Sequence, residues 1–328
     1  METSTVLLDW LGFTVPSTTV QAVQDVVGGD WCRSEKGFSG YPDGYLCLSE
    51  AQVGRMGTGA KRAPQEVHCS LPGSALATWT IEKVRTVIQW VLDHGGHLTR
   101  LDLAFDDRLQ QVTVLQVYEA AQAGQAVCRS RYSRLIHEQR DFFEDTGLTL
   151  EFGKRTSQTF LRVYDKRLER KKRNDPAWET YGTRFELELK DERAQACAEE
   201  LAGLPEADWK RRVVGLLRAH VDFRETTREA KSWEKARAPL CAWWEVLTEG
   251  FKKAPLLLQK VQKKIEDVKE WASKSLAPML AVLYAHHEAG QQFLNQLIHA
   301  GADRWKTRHL ALLRRFPPTK TPYVLNPA

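Results

Sequence analysis

No stretch of this 328-residue sequence is apolar for long enough to span a bilayer. Its opening, METSTVLLDWLGFTV, has no basic segment ahead of the short apolar run, and Asp9 interrupts that run. Export and membrane insertion are therefore not expected, and the sequence reads as that of a soluble cytoplasmic protein. The six cysteines, Cys32, Cys47, Cys69, Cys128, Cys197 and Cys241, are scattered without a CxxC pair. That spacing excludes a small disulfide scaffold and leaves reduced, structural thiols. A strong charge of either sign is missing too. Lys and Arg number 47 against 42 Asp and Glu, a net of +5, which is too mild to identify a nucleic-acid binder, so local clustering has to decide. There is no internal repeat.

What is present is enough apolar material, 42% of residues, to bury a substantial core, with a length that favours two units. Strand-like runs begin at Val6 (VLLDWLGFTV), Gly44 (GYLCLS), Glu66 (EVHCSLP), Leu98 (LTRLDLAFDD), Leu148 (LTLEFG), Thr159 (TFLRVYDK) and Thr183 (TRFELELK). Helical spacing of Ile81, Val84, Val87, Ile88 and Val91 predicts a helix over 80–94, and a second covers 113–123. A polar, arginine-rich loop is expected ahead of Leu148. Beyond Asp191 the pattern turns helical, with an apolar stripe at Leu258, Val261, Ile265, Val268 and Ala272. The charged stretch from Arg224 to Arg237 suggests a division into 1–225 and 226–328, and the proline-rich tail from Phe316 should be extended or frayed. The expected fold is α+β, a central and mostly antiparallel sheet with flanking helices, followed by a helical C-terminal region.

Alternation places Asp102, Ala104 and Asp106 on one face of their strand, and Arg184, Glu186, Glu188 and Lys190 on one face of theirs. Two such strands side by side would gather oxygen ligands suited to magnesium or manganese. The bland alternative is a solvated face whose acids pair with Arg100, Arg162, Arg184 and Lys190. In TFLRVYDK the same rule groups Phe160, Arg162, Tyr164 and Lys166. Cations beside a tyrosine lower the cost of a phenolate and bind phosphate, although a strand tyrosine can equally serve cross-strand packing. Basic residues crowd this region: Lys154, Arg155, Arg167, Arg170, Lys171, Lys172 and Arg173 join Arg162 and Lys166 within twenty positions, a candidate phosphate-binding face. Arg304, Lys306, Arg308, Arg314 and Arg315 form a second basic group.

TRLDLAFDD, a GKR hairpin leading to FLRVYDK, and TRFELELK follow one another in an order that resembles the replication-initiation-factor (Rep_trans) family. DWLGFTV, HVDFRE around Phe223, and LCAWWEVL with Trp243 and Trp244 extend the resemblance over nearly the first 250 residues. Members serve rolling-circle plasmids, filamentous phages and some integrative conjugative elements. The resemblance implies a relaxase-like, metal-assisted DNA-nicking and strand-joining enzyme of a bacterial host cell. Tyr164 would attack a phosphodiester to form a 5′-phosphotyrosine, with Arg162 and Lys166 stabilising charge. It assigns Asp102 and Glu186, with Asp106, Glu188 and Glu151 as further contributors, to a Mg2+ or Mn2+ site. No His-hydrophobe-His motif is present, since two glycines separate His94 from His97; His68 stands alone in its strand as a further candidate ligand. No GxxxxGK[ST] loop is present either, GTGAKR from Gly57 being the nearest approach, so unwinding would need a host helicase and extension a host polymerase. The DNA partner would be an origin hairpin, single-stranded at the nick. The C-terminal helices could form a homodimer, contact a helicase or pack on the catalytic domain. Two other activities share the basic face: a non-catalytic DNA-binding regulator, and a metal-dependent nuclease that uses water. Tyr181 is the rival nucleophile.

Overall fold

In the computed structural model, the described residues are 4–47, 54–258, 265–286, 289–305 and 310. Val261, Lys306, Arg308, Arg314, Arg315 and the tail from Phe316 lie outside them. The strands are β1 (Ser4–Val15), β2 (Trp31–Ser34), β3 (Asp43–Cys47), β4 (Arg55–Ala60), β5 (Ala63–Pro72), β6 (His97–Asp107), β7 (Ala126–Cys128), β8 (Ser133–Arg140), β9 (Glu144–Phe152), β10 (Thr159–Asp165), β11 (Thr183–Lys190) and β12 (Val221–Phe223). Ten of them form one antiparallel sheet in the order β2, β3, β4, β5, β1, β6, β11, β10, β9, β8, while β7 pairs with β12. The fold is thus the expected antiparallel sheet with flanking helices.

The segment expected to be a polar loop contains β8. It is an edge strand paired only with β9, and its residues are largely exposed, so it carries no apolar alternation for a sequence pattern to report.

One face of the sheet is apolar, with Leu101, Leu103 and Phe105 of β6, Leu161 and Val163 of β10, and Phe185, Leu187 and Leu189 of β11 all buried. Helices Ile81–Asp93, Glu192–Gly203 and Glu206–His220 pack on it. The first begins where the Thr80 hydroxyl accepts the Lys83 N–H, and it buries Val84, Val87, Ile88 and Val91. Compact units divide the chain into Met1–Leu258 and Gln259–Ala328. The segment after residue 225, grouped with the C-terminal helices on sequence, therefore packs with the sheet, because Trp244 is anchored there. Its ring lies 5.5 Å from Phe185 and 5.1 Å from Phe223, and its Nε1–H donates to Asp222 Oδ1 at 2.8 Å. Trp244→Ala should destabilise this unit by about 3–5 kcal/mol through cavity formation and a lost buried hydrogen bond, read as a shift in urea midpoint.

The second unit contains helices Ile265–Trp271, Ala277–His286 and Gly290–Ala302, the first two joined by a π-helical turn at Ala272–Leu276. Val268 and Ala272 of the expected stripe are half-buried. Among the described residues, no helix is long and apolar enough to cross a membrane.

Candidate active site

Antiparallel register turns the polar face of the sheet into cross-strand rows. Asp102 stands opposite Glu188, Ala104 opposite Glu186, and Asp106 opposite Arg184. On the next strand Arg162 faces Glu186 and Tyr164 faces Arg184, and on the far side of β10 Arg162 faces Glu151. Ala104 contributes only a methyl group to its row, leaving space above Glu186. Asp9 fills that side. It is the extra residue at a register shift between Leu8 and Trp10 of β1, and its carboxyl group is hydrogen-bonded to that of Glu186.

Tyr164 lines a polar cavity of 610 Å³ together with Asp9, Arg162, Lys166, Glu186 and Arg170. Its hydroxyl donates to Glu186 Oε2 at 3.0 Å and accepts from Lys166 Nζ at 3.3 Å. Lys166 reaches back to the strand because Asp165 ends β10 by capping the helix Lys166–Lys172, accepting the Leu168 N–H at 3.1 Å. Arg162 is ion-paired with Glu186 and lies 3.8 Å from Asp102. The Nε atoms of Arg162 and Arg170, both in residues of the cavity wall, are buried without hydrogen-bond partners.

Burial, opposed by Arg162 and reinforced by Asp9 and Asp102, pushes the Glu186 carboxyl up to about 7. Burial also works to raise Asp9, but Arg184 and Lys166 outweigh it and hold that carboxyl below its usual range. The Asp9–Glu186 hydrogen bond therefore has Glu186 as the donor and Asp9 as the acceptor. Burial and then Glu186 hold the Tyr164 phenol well above 10, so it is protonated at rest. Burial and the neighbouring Arg184 lower Lys166, against the pull of Glu169.

The remaining acids are engaged by cations. Asp102 is held by Arg100 at 2.6 Å, and burial raises its carboxyl despite that partner. Glu188 lies between Arg100 at 2.9 Å and Lys190 at 2.7 Å. Arg184 grips Asp106 at 2.5 and 2.8 Å and reaches Asp9 at 2.7 Å. Glu151 is clamped by Arg134 at 2.6 Å and Arg155 at 2.8 Å. The ion pairs of the bland alternative are thus formed, but on a buried face rather than a solvated one. No three His, Cys, Asp or Glu side chains converge among the described residues. Two carboxyl groups held together by one proton are nevertheless a donor set in which a hard divalent cation can replace that proton. On that ground Asp9 and Glu186, although Arg184 and Arg162 touch them, fit Mg2+ or Mn2+, whereas Asp106 and Glu151 are each gripped by arginine with no second carboxyl group to share a proton.

Of the basic residues, Arg155, Arg170 and Arg173 line the cavity. Lys171 sits over the Trp178 ring, Lys172 pairs with Glu138 at 3.5 Å, and Arg167 and Lys154 lie outside the cavity wall. Tyr181 is held between the guanidinium groups of Arg108 and Arg170, 4.6 and 5.1 Å from its ring, and does not line this cavity. His68 is stacked beside Phe38 and Tyr41 and bonded to Thr14 at 2.9 Å. Asp9 escaped sequence reasoning. Its one signal was an acid inside an apolar strand, and a bulge that turns it onto the polar face leaves no pattern.

A protein of Bacillus subtilis (strain 168) assigned as DNA relaxase NicK is 27% identical over 216 residues, covering 63% of this chain and 58% of that protein. The chain thus spans just under three-fifths of that relative's length. A rolling circle replication initiator protein from Geobacillus stearothermophilus shares the fold at a TM-score of 0.64 and 20% identity, over 78% of this chain and 99% of that one. Residues 96–298, which include β6, β10 and β11, match the replication initiation factor family, Rep_trans, and the chain belongs to that family.

Proposed function

We propose that this protein is a rolling-circle replication initiator that nicks and rejoins single-stranded DNA through Tyr164. The carrying observation is the Tyr164 hydroxyl bonded to Glu186 on one side and Lys166 on the other inside a cation-lined cavity. In the proposed reaction the phenol oxygen attacks the phosphorus, Glu186 takes the phenolic proton, and the bond from phosphorus to the 3′ oxygen breaks. A 5′-phosphotyrosine and a strand ending in 3′-OH result, the leaving oxygen taking a proton from solvent. Arg162 and Lys166 stabilise charge on the phosphoryl oxygens, and the unpartnered Nε–H groups of Arg162 and Arg170 are donors for them. Asp9 and Glu186, with Asp102 behind, would hold Mg2+ or Mn2+, which when bound supplies Lewis-acid polarisation of a non-bridging oxygen. Reversal by a later 3′-OH closes a circle. Unwinding and extension fall to a host helicase and polymerase.

The test is a denaturing gel of the full chain incubated with origin DNA. A protein–DNA band that survives denaturation, with the adduct on the Tyr164 peptide, supports the proposal. Nicking without an adduct points to a water nucleophile, and binding without nicking to a regulator. Neutralising Lys171, Lys172 and Arg173 together to Gln should weaken binding and reduce the slope of log K against log salt by about 2, as three lost strand-phosphate contacts would, with adduct formation retained at saturating DNA.

A further inference from the structure

On the other side of the sheet, a second cavity of 470 Å³ lies between the turn joining β9 to β10, strand β11 and the end of helix Glu206–His220. That volume is within the range of small-ligand sites. Thr159, in its wall, shares the apolar face of β10 with Leu161 and Val163, so it points away from Tyr164 and lies about 17 Å along the strand from it. The polar wall consists chiefly of Arg129, Thr159, Arg193 and His220, the apolar wall of residues such as Leu216 and Leu256, and no carboxylate lines the space. Other arginines of this unit, such as Arg100, Arg134, Arg184 and Arg218, are each paired with an acid. Arg129 and Arg193 have no such partner among the described residues. Two further polar atoms of this wall, Thr159 Oγ1 and His220 Nε2, are buried without hydrogen-bond partners.

We propose that this cavity binds the phosphate group of a nucleotide between Arg129 and Arg193, with Thr159 and His220 as additional hydrogen-bonding groups and Leu216 and Leu256 against the sugar or base. A metal cation is excluded by two guanidinium groups and no carboxylate, and a purely apolar ligand would leave the buried Thr159 Oγ1 and His220 Nε2 unsatisfied. Burial, then Arg129 and Arg193, push the His220 imidazole down to about 4. Arg129 and Arg193 are the charged groups in the wall around the ring, so an anion that offsets them raises the affinity of His220 for a proton. The phosphate can come from a free nucleotide or from a DNA strand.

The experiment titrates the full chain with inorganic phosphate and with thymidine 5′-monophosphate, by calorimetry and by NMR of the His220 ring. Both probes should bind, the nucleotide more tightly, and the His220 pKa should rise on saturation. Arg129→Gln/Arg193→Gln should weaken binding by about tenfold or more while leaving the Tyr164 adduct on a short oligonucleotide unchanged. Displacement of the nucleotide by single-stranded DNA identifies a strand phosphate as the occupant, and undisturbed binding identifies a free nucleotide; both outcomes keep the site. Equal affinity in the double variant, or His220 signals indifferent to millimolar amounts of both probes, overturns it. Should the double variant fail to fold, the His220 response of the unaltered chain decides.

Discussion

Tyr164→Phe is expected to abolish the covalent DNA adduct and to lower nicking by more than about 10³-fold, because the substitution removes the one oxygen that attacks in the proposed mechanism. The rest of the site should survive. The ring keeps its packing, and Glu186 loses one hydrogen bond while retaining Asp9 and Arg162, so the stability change should stay near 1 kcal/mol. DNA affinity, which the proposed function assigns to the surrounding cations, should change little. The informative measurement pairs adduct formation with binding on the same preparation. Full nicking by the variant would sink the tyrosine mechanism, and an adduct mapped to Tyr181 would move it to the other side of Arg170.

Glu186→Gln is the second large effect, expected to lower nicking by about 10²–10⁴-fold, the usual range for a lost general base. Glutamine can still accept the Tyr164 hydrogen bond but cannot take its proton. The unaltered enzyme should also show a rate that climbs with pH as Glu186 loses its own proton to become a base, the climb moving to lower pH as divalent metal saturates the site and displaces that proton. Stability gives an independent reading of the same group. The folded state holds the Glu186 proton more tightly than the unfolded state, so this contribution is complete below the ordinary value of 4.5. It is lost as pH rises through about 7, by about 3 kcal/mol in all. In Glu186→Gln that component of the pH dependence should vanish, leaving a variant that gains on the parent between pH 5 and pH 8 in thermal unfolding. A nicking profile with the same inflection in both proteins would assign the titration to another group.

Period-two alternation made the central strands legible, and it also put Tyr164, Arg162 and Glu186 on a common side before any pairing was known. It could not reveal which acids would meet a second carboxyl group. Asp106 and Glu151 sit on the same kind of strand position as Glu186, yet cross-strand register gives Arg184 to the first, and an arginine on β8 and another in the β9–β10 turn to the second. Edge strand β8 and the bulge at Asp9 were invisible for related reasons: one is exposed on both faces, and the other breaks the alternation that reading depends on. The unit boundary was misplaced because charge marks Arg224–Arg237 as surface, while Trp244 just beyond it returns to the core.

The placement of β1 has a consequence for how activity arises during synthesis. Strand β1, ahead of every other described strand in the sequence, sits in the middle of the sheet, between β5 and β6, and the contact that carries its acid into the site joins Asp9 to Arg184 across 175 residues. Closing so long a loop comes late and is rewarded only when β11 is in place. A nascent or truncated chain ending before β11 would carry Tyr164 and the basic helix after it without a competent acid pair. Under the proposed mechanism it could touch DNA but not cut it, so strand scission would wait on a finished fold.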